Sequence, residues 1–521
     1  MFNFEGRKAP VDYVILDTLS NQTCLQEDMD ETAGGGPMRI GVQRKVKLSP
    51  VNCGRWTTLE DGSRVWRVAV QSPGARFVSL FFSHFRLPQG AEMYFYDATG
   101  YLVLGRYLSD DVKPDSTFFT QAIPGETVYI EYHIPQSCSD NGELLISELC
   151  HGYKDFLRDD MLPSRKGAIG NSEGNCHINI ACATADNYRD QSHAVCCITI
   201  STTQGTYLCS GTLMNNTALD KTPYVLSAHH CQDITGTITR FTFYFNYEST
   251  TCSGSYGRID QSITGADIVA KQSRSSGSDF LLLRLHQMVP DEYEPFYAGW
   301  DRSQVQQPTI GCCIHHPGGD LKKISIPYSV RIGEGSLLPY YRAQWNRQGV
   351  VEGGSSGSAL FNKSGLVIGQ LYGGTSSCTN ASGPNSYDYY GRLAYSWTGG
   401  GSASSRLKDW LDPTNSGVNS LSGSYGDSLV YTVPTFQDTL LLSCFPNPSL
   451  DGMVSFEVDS PGEVLLQIYN TKGLLVDEMR STFATNTQRI DLSHLQAGSY
   501  VVLLTQGDKT YHGVVVIART N

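Results

Sequence analysis

A histidine, an aspartate and a serine stand in sequence contexts typical of acyl transfer. His230 directly precedes a cysteine at the end of an apolar run. Asp279 directly precedes the apolar run 280–283, where a buried charge would be costly unless it were hydrogen-bonded. Ser356 lies in the glycine-rich segment 353–358. A serine hydroxyl becomes a nucleophile when an imidazole takes its proton and a carboxylate orients that imidazole. We therefore predict that these three residues form a catalytic triad.

The glycine-rich segment also supplies hydrogen-bond donors for a developing negative charge. The backbone N–H groups of Gly354 and Ser356 can point into one pocket, so we predict that they form an oxyanion hole. A glycine-flanked serine alone is more often an ordinary loop. The order histidine, aspartate, serine argues against an α/β-hydrolase, which has the reverse order, and Ser358 replaces the second glycine of that fold's nucleophile elbow.

Paired histidines raise the alternative of a zinc site. They occur at residues 229–230 and 315–316, but adjacent side chains of a strand point to opposite faces and cannot share one ion. His230 alone could also be a structural histidine. We predict neither a metal nor another cofactor.

The elements that position these residues are predicted to be strands. Residues 1–166 contain alternating runs and hairpin turns of a β-sandwich-like domain. In residues 167–416 strands alternate with loops, and one short amphipathic helix closes the segment before Pro413. Residues 417–437 have a linker composition, and 438–521 describe a compact β-sandwich. The fold class is therefore predicted to be all-β.

Composition excludes several function classes. The net charge of -12 opposes nucleic-acid binding, which needs a cationic surface. Apolar runs are far shorter than the roughly 20 residues that span a bilayer, so no transmembrane segment is predicted. Fifteen cysteines favour an oxidising compartment.

Residues 174–421 resemble the bacterial lysyl endopeptidases, a branch of the chymotrypsin-like serine proteases. The matching segments are 209–217, 227–231, 278–283, 298–302, 314–317, 354–358, 369–371 and 396–401. The resemblance implies two six-stranded antiparallel barrels with the triad between them. It implies a serine endopeptidase that cleaves proteins and peptides on the carboxyl side of lysine, made as a zymogen behind an N-terminal pro-domain.

The resemblance also implies a disulfide framework. It pairs Cys176 with Cys378, Cys182 with Cys252, and Cys209 with Cys231. Four further cysteines lie outside that set, and their pairing is open: Cys196, Cys197, Cys312 and Cys313.

Specificity for lysine needs an acidic residue in the substrate pocket. A trypsin-like enzyme carries it six residues before the nucleophile, where this chain has Val350. The resemblance assigns the role to Asp388, with Glu352 as a second acidic candidate. Tyr372 stands where the family has a histidine beside the substrate. Arginine or mixed basic specificity, and an inactive surface-binding protein with the protease fold, are the alternatives.

The charged connection near the end of the first domain suits an exposed cleavage site. We predict that maturation cuts between Lys166 and Gly167, because the sequence Ser-Arg-Lys precedes the start of the family likeness.

The last domain resembles the type A sorting domain of the bacterial type IX secretion system. Segments 445–448, 468–473 and 490–500 carry the likeness. It implies that the type IX machinery is a partner and that a Gram-negative bacterium exports the chain through the periplasm, to be secreted or held at the cell surface. A generic carbohydrate-binding sandwich is the alternative.

Overall fold

Strands are the main secondary structure of the chain, because alternating apolar and polar residues let each strand bury one face. The computed structural model describes residues 11–31, 37–111, 115–155, 176–232, 240–305, 307–425, 440–470, 475–495, 498–507 and 509–518. It divides into two units, residues 1–423 and 424–521, and each is described by itself. The predicted all-β fold class is confirmed.

The N-terminal domain has two sheet layers and one helix. Its helix α1 spans Asn21–Glu31, and its strands are β1 (Asp12–Ile15), β2 (Met38–Leu48), β3 (Arg55–Thr58), β4 (Arg64–Gln71), β5 (Phe77–Arg86), β6 (Glu92–Asp97), β7 (Val103–Tyr107), β8 (Phe118–Phe119), β9 (Ile123–Pro124), β10 (Thr127–Ile134) and β11 (Glu143–Gly152). One layer has the order β1-β4-β10-β6-β7, with β3 on β4; the other holds β2, β11, β5, β8 and β9. Buried aromatic residues, including Trp66, Phe82 and Phe95, pack between the layers.

The protease domain contains seventeen strands within its described residues. They are β12 (Ile178–Asn179), β13 (Val195–Ser201), β14 (Gly205–Met214), β15 (Tyr224–Ala228), β16 (Arg240–Phe245), β17 (Ser262–Thr264), β18 (Ala266–Gln272), β19 (Phe280–Leu285), β20 (Trp300–Asp301), β21 (Ile310–His315), β22 (Lys323–Ser325), β23 (Ser329–Ile332), β24 (Tyr340–Asn346), β25 (Ala359–Asn362), β26 (Val367–Gly374), β27 (Ser382–Arg392) and β28 (Ser420–Leu421). Helices α2 (Arg189–Ala194), α3 (Leu393–Thr398) and α4 (Lys408–Leu411) complete it.

These strands form the two expected barrels. The first has the order β17-β16-β13-β14-β15-β19-β18. The second has the order β12-β22-β21-β25-β26-β27-β24-β23, with β20 pairing both β26 and β28. Short strands extend both sheets beyond six strands. Strand β28 falls inside the segment that we predicted to be a linker, 417–437.

The N-terminal domain and the first barrel share one sheet. Strand β2 pairs with β11 of its own domain on one edge and with β14 of the protease on the other. The combined sheet has twelve strands. One apolar cluster also crosses the boundary, since Leu208, Tyr244 and Leu321 pack with the aromatic core of the N-terminal domain. The sequence did not predict this continuity.

The second unit is a two-sheet sandwich, as predicted. Its strands are β29 (Leu440–Leu441), β30 (Ser443–Phe445), β31 (Met453–Glu457), β32 (Gly462–Asn470), β33 (Leu475–Phe483), β34 (Thr487–Asp491), β35 (Gly498–Gln506) and β36 (Lys509–Ile517). One sheet has the order β29-β36-β35-β32-β33, and the other β30-β31-β34. Phe456, Leu466 and Val502 lie in the core between them.

The described residues contain no helix that is both long and apolar enough to cross a membrane. The predicted cleavage site between Lys166 and Gly167 lies outside the described residues.

A buried ion pair joins the N-terminal domain to the first barrel. Arg240 Nη1 lies 2.7 Å from Glu148 Oε2, and the two side chains are 4% and 15% exposed. The Arg240 guanidinium also stacks 3.4 Å from the ring centre of Phe81. Removing either charge would leave the other buried without its partner.

We expect Arg240→Ala to lower the free energy of unfolding by about 3 kcal/mol, because it leaves the buried carboxylate of Glu148 without a cationic partner. Urea denaturation of the full chain, with Ser356→Ala present to prevent proteolysis, measures this. Arg258→Ala is the matched control, because it breaks an exposed pair with Asp260 and should cost less than about 1 kcal/mol. Equal effects of the two substitutions would contradict the prediction.

Candidate active site

Adjacent strands of the first barrel bring His230 and Asp279 together. Strand β15 ends at Ala228, which lies opposite Phe280 at the start of β19, so the residues that follow one strand meet those that precede the other. The His230 Nδ1 atom lies 2.6 Å from Asp279 Oδ2. The backbone N–H of His230 donates to Asp279 Oδ1 at 3.1 Å. The carboxylate therefore fixes both the ring and the backbone of His230.

Asp279 is held in an unusual backbone conformation. Its φ is +60°, in the left-handed region that non-glycine residues seldom adopt, and the residue is 1% exposed. Its carbonyl accepts the N–H of His229 at 2.9 Å. Such strain persists only where the surroundings determine it, as at a functional site.

Three residues of the second barrel support this loop, and the sequence analysis did not select them. The Gln370 side-chain amide donates to the carbonyl of Ser278 at 2.8 Å, and the Ser278 and Ser396 hydroxyls are 2.6 Å apart. The Tyr340 hydroxyl donates to the carbonyl of Gly277 at 3.1 Å. Gln370 and Ser396 lie in matching segments of the family resemblance, but their roles depend on tertiary contacts.

The loop that carries Ser356 has no room for side chains at two of its glycines. Gly354 has φ +91°, and a Cβ there would lie 2.8 Å from the carbonyl oxygen of His316. Gly357 has φ +84°, and a Cβ there would lie 2.6 Å from the carbonyl oxygen of Ser210. Both contacts are too close for a real side chain, so only glycine fits.

Strand β14 anchors this loop through Ser210. The Ser210 N–H donates to the Ser356 carbonyl at 2.8 Å, and the Ser210 hydroxyl donates to the Gly354 carbonyl at 3.0 Å. Among the described residues, no acceptor takes the N–H of Gly354 or of Ser356. Both donors are therefore available for an oxyanion.

The Ser356 hydroxyl makes no hydrogen bond within the described part of the chain, and none joins it to His230. Catalytic hydrogen bonds are often long in structures without substrate and shorten in the complex. Its neighbour Ser355 is buried, and the Ser355 hydroxyl lies 2.8 Å from His315 Nδ1. Burial holds the pKa of His315 well below its ordinary value, so the loop rests on a neutral imidazole.

Three disulfides stabilise the arrangement. The structure joins Cys176 with Cys378, Cys182 with Cys252, and Cys209 with Cys231. The last of these ties β14 to the turn that carries His230. The other nine cysteines form no disulfide. Cys196, Cys197, Cys312 and Cys313 belong to that group and are fully buried in strands.

A cavity of about 470 Å³ adjoins Ser356. Its lining includes Ser356, Glu352, Tyr372, Ser376 and Asp388. This cavity extends from the nucleophile to the buried carboxylate of Asp388. Val350, the position that is acidic in trypsin-like enzymes, is fully buried and apolar.

Asp388 is 2% exposed and lacks a cationic partner within the described residues. Burial raises the pKa of its carboxyl to about 6, while hydrogen bonds from Ser376 and Trp345 act in the opposite direction. The indole N–H of Trp345 donates to Asp388 Oδ2 at 2.6 Å. Trp345 is a further residue that the sequence analysis missed, because it lies on β24, distant in sequence from Asp388.

Glu352 lines the same cavity, but its carboxylate is already bonded. Oε2 lies 3.0 Å from His177 Nε2, and Oε1 accepts the N–H of Cys378 at 2.8 Å. Burial acts to raise the pKa of Glu352, yet the hydrogen bonds from His177 and Cys378 outweigh it and the pKa lies below its ordinary value. The two predicted acidic residues therefore differ in their surroundings: Glu352 is bonded to His177 and Cys378, whereas Asp388 has no cationic partner among the described residues.

Tyr372 lines the cavity beside His230. Its ring meets the His230 ring edge-on, with centres 5.9 Å apart. The Arg274 guanidinium lies 4.7 Å from the centre of the Tyr372 ring on the rim of the cavity.

A group of possible metal ligands, within the part of the chain that the structure describes, is formed by Cys176, His177 and Cys378. The two cysteines are joined to each other, so neither offers a thiolate. These residues do not fit a metal ion.

Comparisons with known proteins find three family matches along the chain. The family described as "Lysyl endopeptidase N-terminal domain" matches residues 15–153, and "Lysyl endopeptidase, C-terminal domain" matches residues 169–391. The family described as "Secretion system C-terminal sorting domain" matches residues 443–518. A lysyl endopeptidase of Pseudomonas aeruginosa is 29% identical, over 66% of this chain and 76% of that protein.

Some solved structures are similar to part of the chain. A thermostable serine protease from an extremophilic microorganism is 16% identical, with a TM-score of 0.30, and covers 39% of this chain and 92% of that one. The protease Anisep from Arthrobacter nicotinovorans is 17% identical, with a TM-score of 0.29, and covers 38% and 90%.

The two lysyl endopeptidase domains follow one another along the chain, and the sorting domain comes after them. The sorting domain marks a secreted or cell-surface protein. The chain belongs to the lysyl endopeptidase family of chymotrypsin-like serine endopeptidases, with a secretion-system sorting domain at its C-terminal end.

Proposed function

We propose that the chain cleaves proteins and peptides on the carboxyl side of lysine, with His230, Asp279 and Ser356 as its triad. The buried carboxylate of Asp388, in the cavity that adjoins Ser356, is the observation that carries this proposal. A substrate lysine whose side chain enters the cavity would bring its ammonium group to this carboxylate. The backbone carbonyl carbon of the same lysine would then lie near the Ser356 hydroxyl.

The chemistry follows from the hydrogen bonds around the triad. His230 Nε2 takes the proton of the Ser356 hydroxyl as the oxygen attacks the lysyl carbonyl carbon. Asp279 accepts Nδ1–H and stabilises the imidazolium that forms. The N–H groups of Gly354 and Ser356 bind the oxyanion, and His230 then gives its proton to the leaving amine. Water attacks the acyl-enzyme in the same way and releases the product.

The hydrogen bonds of Asp388 favour lysine over arginine. An arginine fork pairs best with both oxygens of a carboxylate, whereas an ammonium needs only one close acceptor. Because Trp345 already donates to Oδ2, that oxygen is less available for a forked contact with an arginine. The desolvation free energy of a buried ammonium is offset only where a carboxylate lies close enough to pair with it.

The sorting domain supports export by the type IX secretion system. We infer that the chain passes through the periplasm of a Gram-negative bacterium and is then released or held at the cell surface. Maturation by a cut between Lys166 and Gly167 is part of this proposal, because the bond follows a lysine and lies between the two lysyl endopeptidase domains.

We expect Ser356→Ala to abolish cleavage of lysyl peptides, with a loss of up to about a millionfold, because it removes only the nucleophilic oxygen. Turnover of a fluorogenic lysyl peptide and labelling by a fluorophosphonate probe measure this. Ser355→Ala is the matched control and should still be labelled. Labelling that persists in Ser356→Ala and disappears in Ser355→Ala would move the nucleophile to Ser355.

We expect Asp388→Asn to lower kcat/KM for lysyl substrates by a factor of a few tens to several thousand, because the ammonium loses its buried partner. This factor corresponds to a loss of about 2 to 5 kcal/mol of transition-state stabilisation. Mass spectrometry of peptides released from a denatured protein mixture also reports whether cleavage shifts to other residues. Glu352→Gln is the comparison and should reduce kcat/KM by less than about tenfold, since that carboxylate is bonded within the protein. Near wild-type cleavage by a folded, probe-reactive Asp388→Asn enzyme would contradict the proposal.

The raised pKa of Asp388 also predicts a pH-dependent cost to stability. The carboxyl ionises at about 6 in the folded chain and at 3.8 in its ordinary state, so folding favours the protonated form. The ionisation of Asp388 therefore lowers the free energy of unfolding by an amount that grows as the pH rises from about 4 to 6. Above pH 6 this loss reaches about 3 kcal/mol. In a Ser356→Ala background, the gain in stability from Asp388→Asn should be small at the acid end and larger at neutral pH. A gain that does not change with pH would contradict this.

A further inference from the structure

The pairing of β2 with β14 brings the N-terminal domain to the edge of the catalytic centre. The strands are antiparallel, with Met38 opposite Leu208, Arg39 opposite Tyr207, and Gly41 opposite Thr206. This places the first residues of β2 on the protease edge formed by residues 205–208. We call that stretch of β14 the leaving-group edge, because a substrate segment that follows the scissile bond could pair with it.

Two contacts fix the position of this edge relative to the nucleophile. Ser210 follows Leu208 by two residues on β14, and its N–H donates to the Ser356 carbonyl at 2.8 Å. Met38 Cβ lies 3.5 Å from the point where Gly353 would carry a Cβ. Strand β2 therefore begins beside the loop of the catalytic serine.

Strand β2 runs along the leaving-group edge in the direction that its antiparallel pairing with β14 sets. Because β2 is antiparallel to β14, its N-terminal end points towards Ser210 and its C-terminal end away from it. A polypeptide that leaves Ser356 along the same edge would have the same direction and use the same backbone groups of β14. One strand edge pairs with one partner at a time.

The cavity that would bind the substrate lysine is not covered by β2, in contrast to the leaving-group edge. Among the described residues of the N-terminal domain, none lines the cavity that holds Ser356 and Asp388. A lysine side chain therefore meets no obstacle from β2, whereas residues after the scissile bond do.

We propose that β2 is an internal competitor for the leaving-group segment of polypeptide substrates, an inference that rests on the proposed lysine cleavage. The partner that fits the leaving-group edge is an extended peptide, and β2 holds that place in the uncut chain. Inhibition is selective: it acts on substrates with several residues after lysine and spares small lysyl amides.

The contacts that hold β2 do not depend on the chain connection at Lys166. Arg39 pairs with Asp28 at 2.8 Å and with Glu27 at 2.9 Å, both on helix α1. Across the domain boundary, the backbone N–H of Ala122 donates to the hydroxyl oxygen of Tyr244 at 2.9 Å. The Arg240 to Glu148 ion pair lies on the same boundary. A cut between Lys166 and Gly167 therefore leaves β2 in place, and relief requires loss of the N-terminal domain.

Two lysyl substrates with the same acyl portion test the proposal. One is a p-nitroanilide, with no residue after lysine, and the other is a peptide with several residues after it. Relative to matured enzyme without the N-terminal domain, the uncut Lys166→Gln chain should lose about 10- to 100-fold more kcat/KM on the peptide than on the anilide, since a tethered strand acts at millimolar effective concentration.

Arg39→Ala in the Lys166→Gln chain should restore peptide cleavage by about tenfold without changing anilide cleavage, because it frees the start of β2 from α1. Arg55→Ala is the control: it breaks a pair with Asp12 elsewhere in the same domain and should change neither rate. If the Arg39→Ala variant does not fold, a second measurement tests the proposal: hydrogen exchange of the backbone amides of residues 205–208 in the Ser356→Ala chain. Protection that persists after added protease cuts the Ser356→Ala chain at Lys166 supports the proposal.

Equal losses on the two substrates, or no loss on either, would overturn the proposal, as would rapid exchange at residues 205–208 after the cut. Failure of the matured enzyme to cleave either lysyl substrate has a different meaning. That result would contradict lysine cleavage itself, and labelling by a fluorophosphonate probe would show whether the catalytic centre is nevertheless intact.

Discussion

The hydrogen bond from the Ser210 N–H to the Ser356 carbonyl joins the two barrels at the catalytic centre. The histidine and aspartate belong to loops of the first barrel, whereas the serine belongs to a loop of the second. Their mutual position therefore depends on how the serine loop meets β14. The Cys209 to Cys231 disulfide ties β14 to the histidine turn, so the same strand locates both the base and the nucleophile. The strained backbone of Asp279 is tolerated because surrounding contacts determine its loop, whereas Gly354 adopts its positive φ without strain.

Two buried aspartates show how burial can serve opposite purposes. Asp279 receives three close contacts from the His229 to His230 turn, and its carboxylate is used to orient a ring. Asp388 has an indole donor and no cation in the described part of the chain, so burial raises its pKa. The first arrangement is complete without substrate. In the function that we propose, an incoming ammonium completes the second, and the unfavourable burial of Asp388 becomes a source of specificity.

The sequence made some of this predictable because the signals are local. The triad residues each stand beside an apolar strand or a glycine pair, and period-two alternation identifies strands. Trp345 was missed because its contact with Asp388 joins two strands whose pairing no local pattern records. The same reason explains β28, a short strand in a segment with the composition of a linker. Pairing of β2 with β14 was also missed, since strand register between distant segments depends on which faces are buried in the folded protein.

The edge of β14 links folding to inhibition. An exposed strand edge invites pairing with other chains, and proteins protect such edges by covering them. Here β2 covers the leaving-group edge, while the aromatic core of the N-terminal domain continues into the first barrel. A substrate segment needs the same edge to be uncovered. The N-terminal domain thus protects the first barrel and obstructs its substrates through one set of backbone hydrogen bonds, and neither effect can be removed without the other.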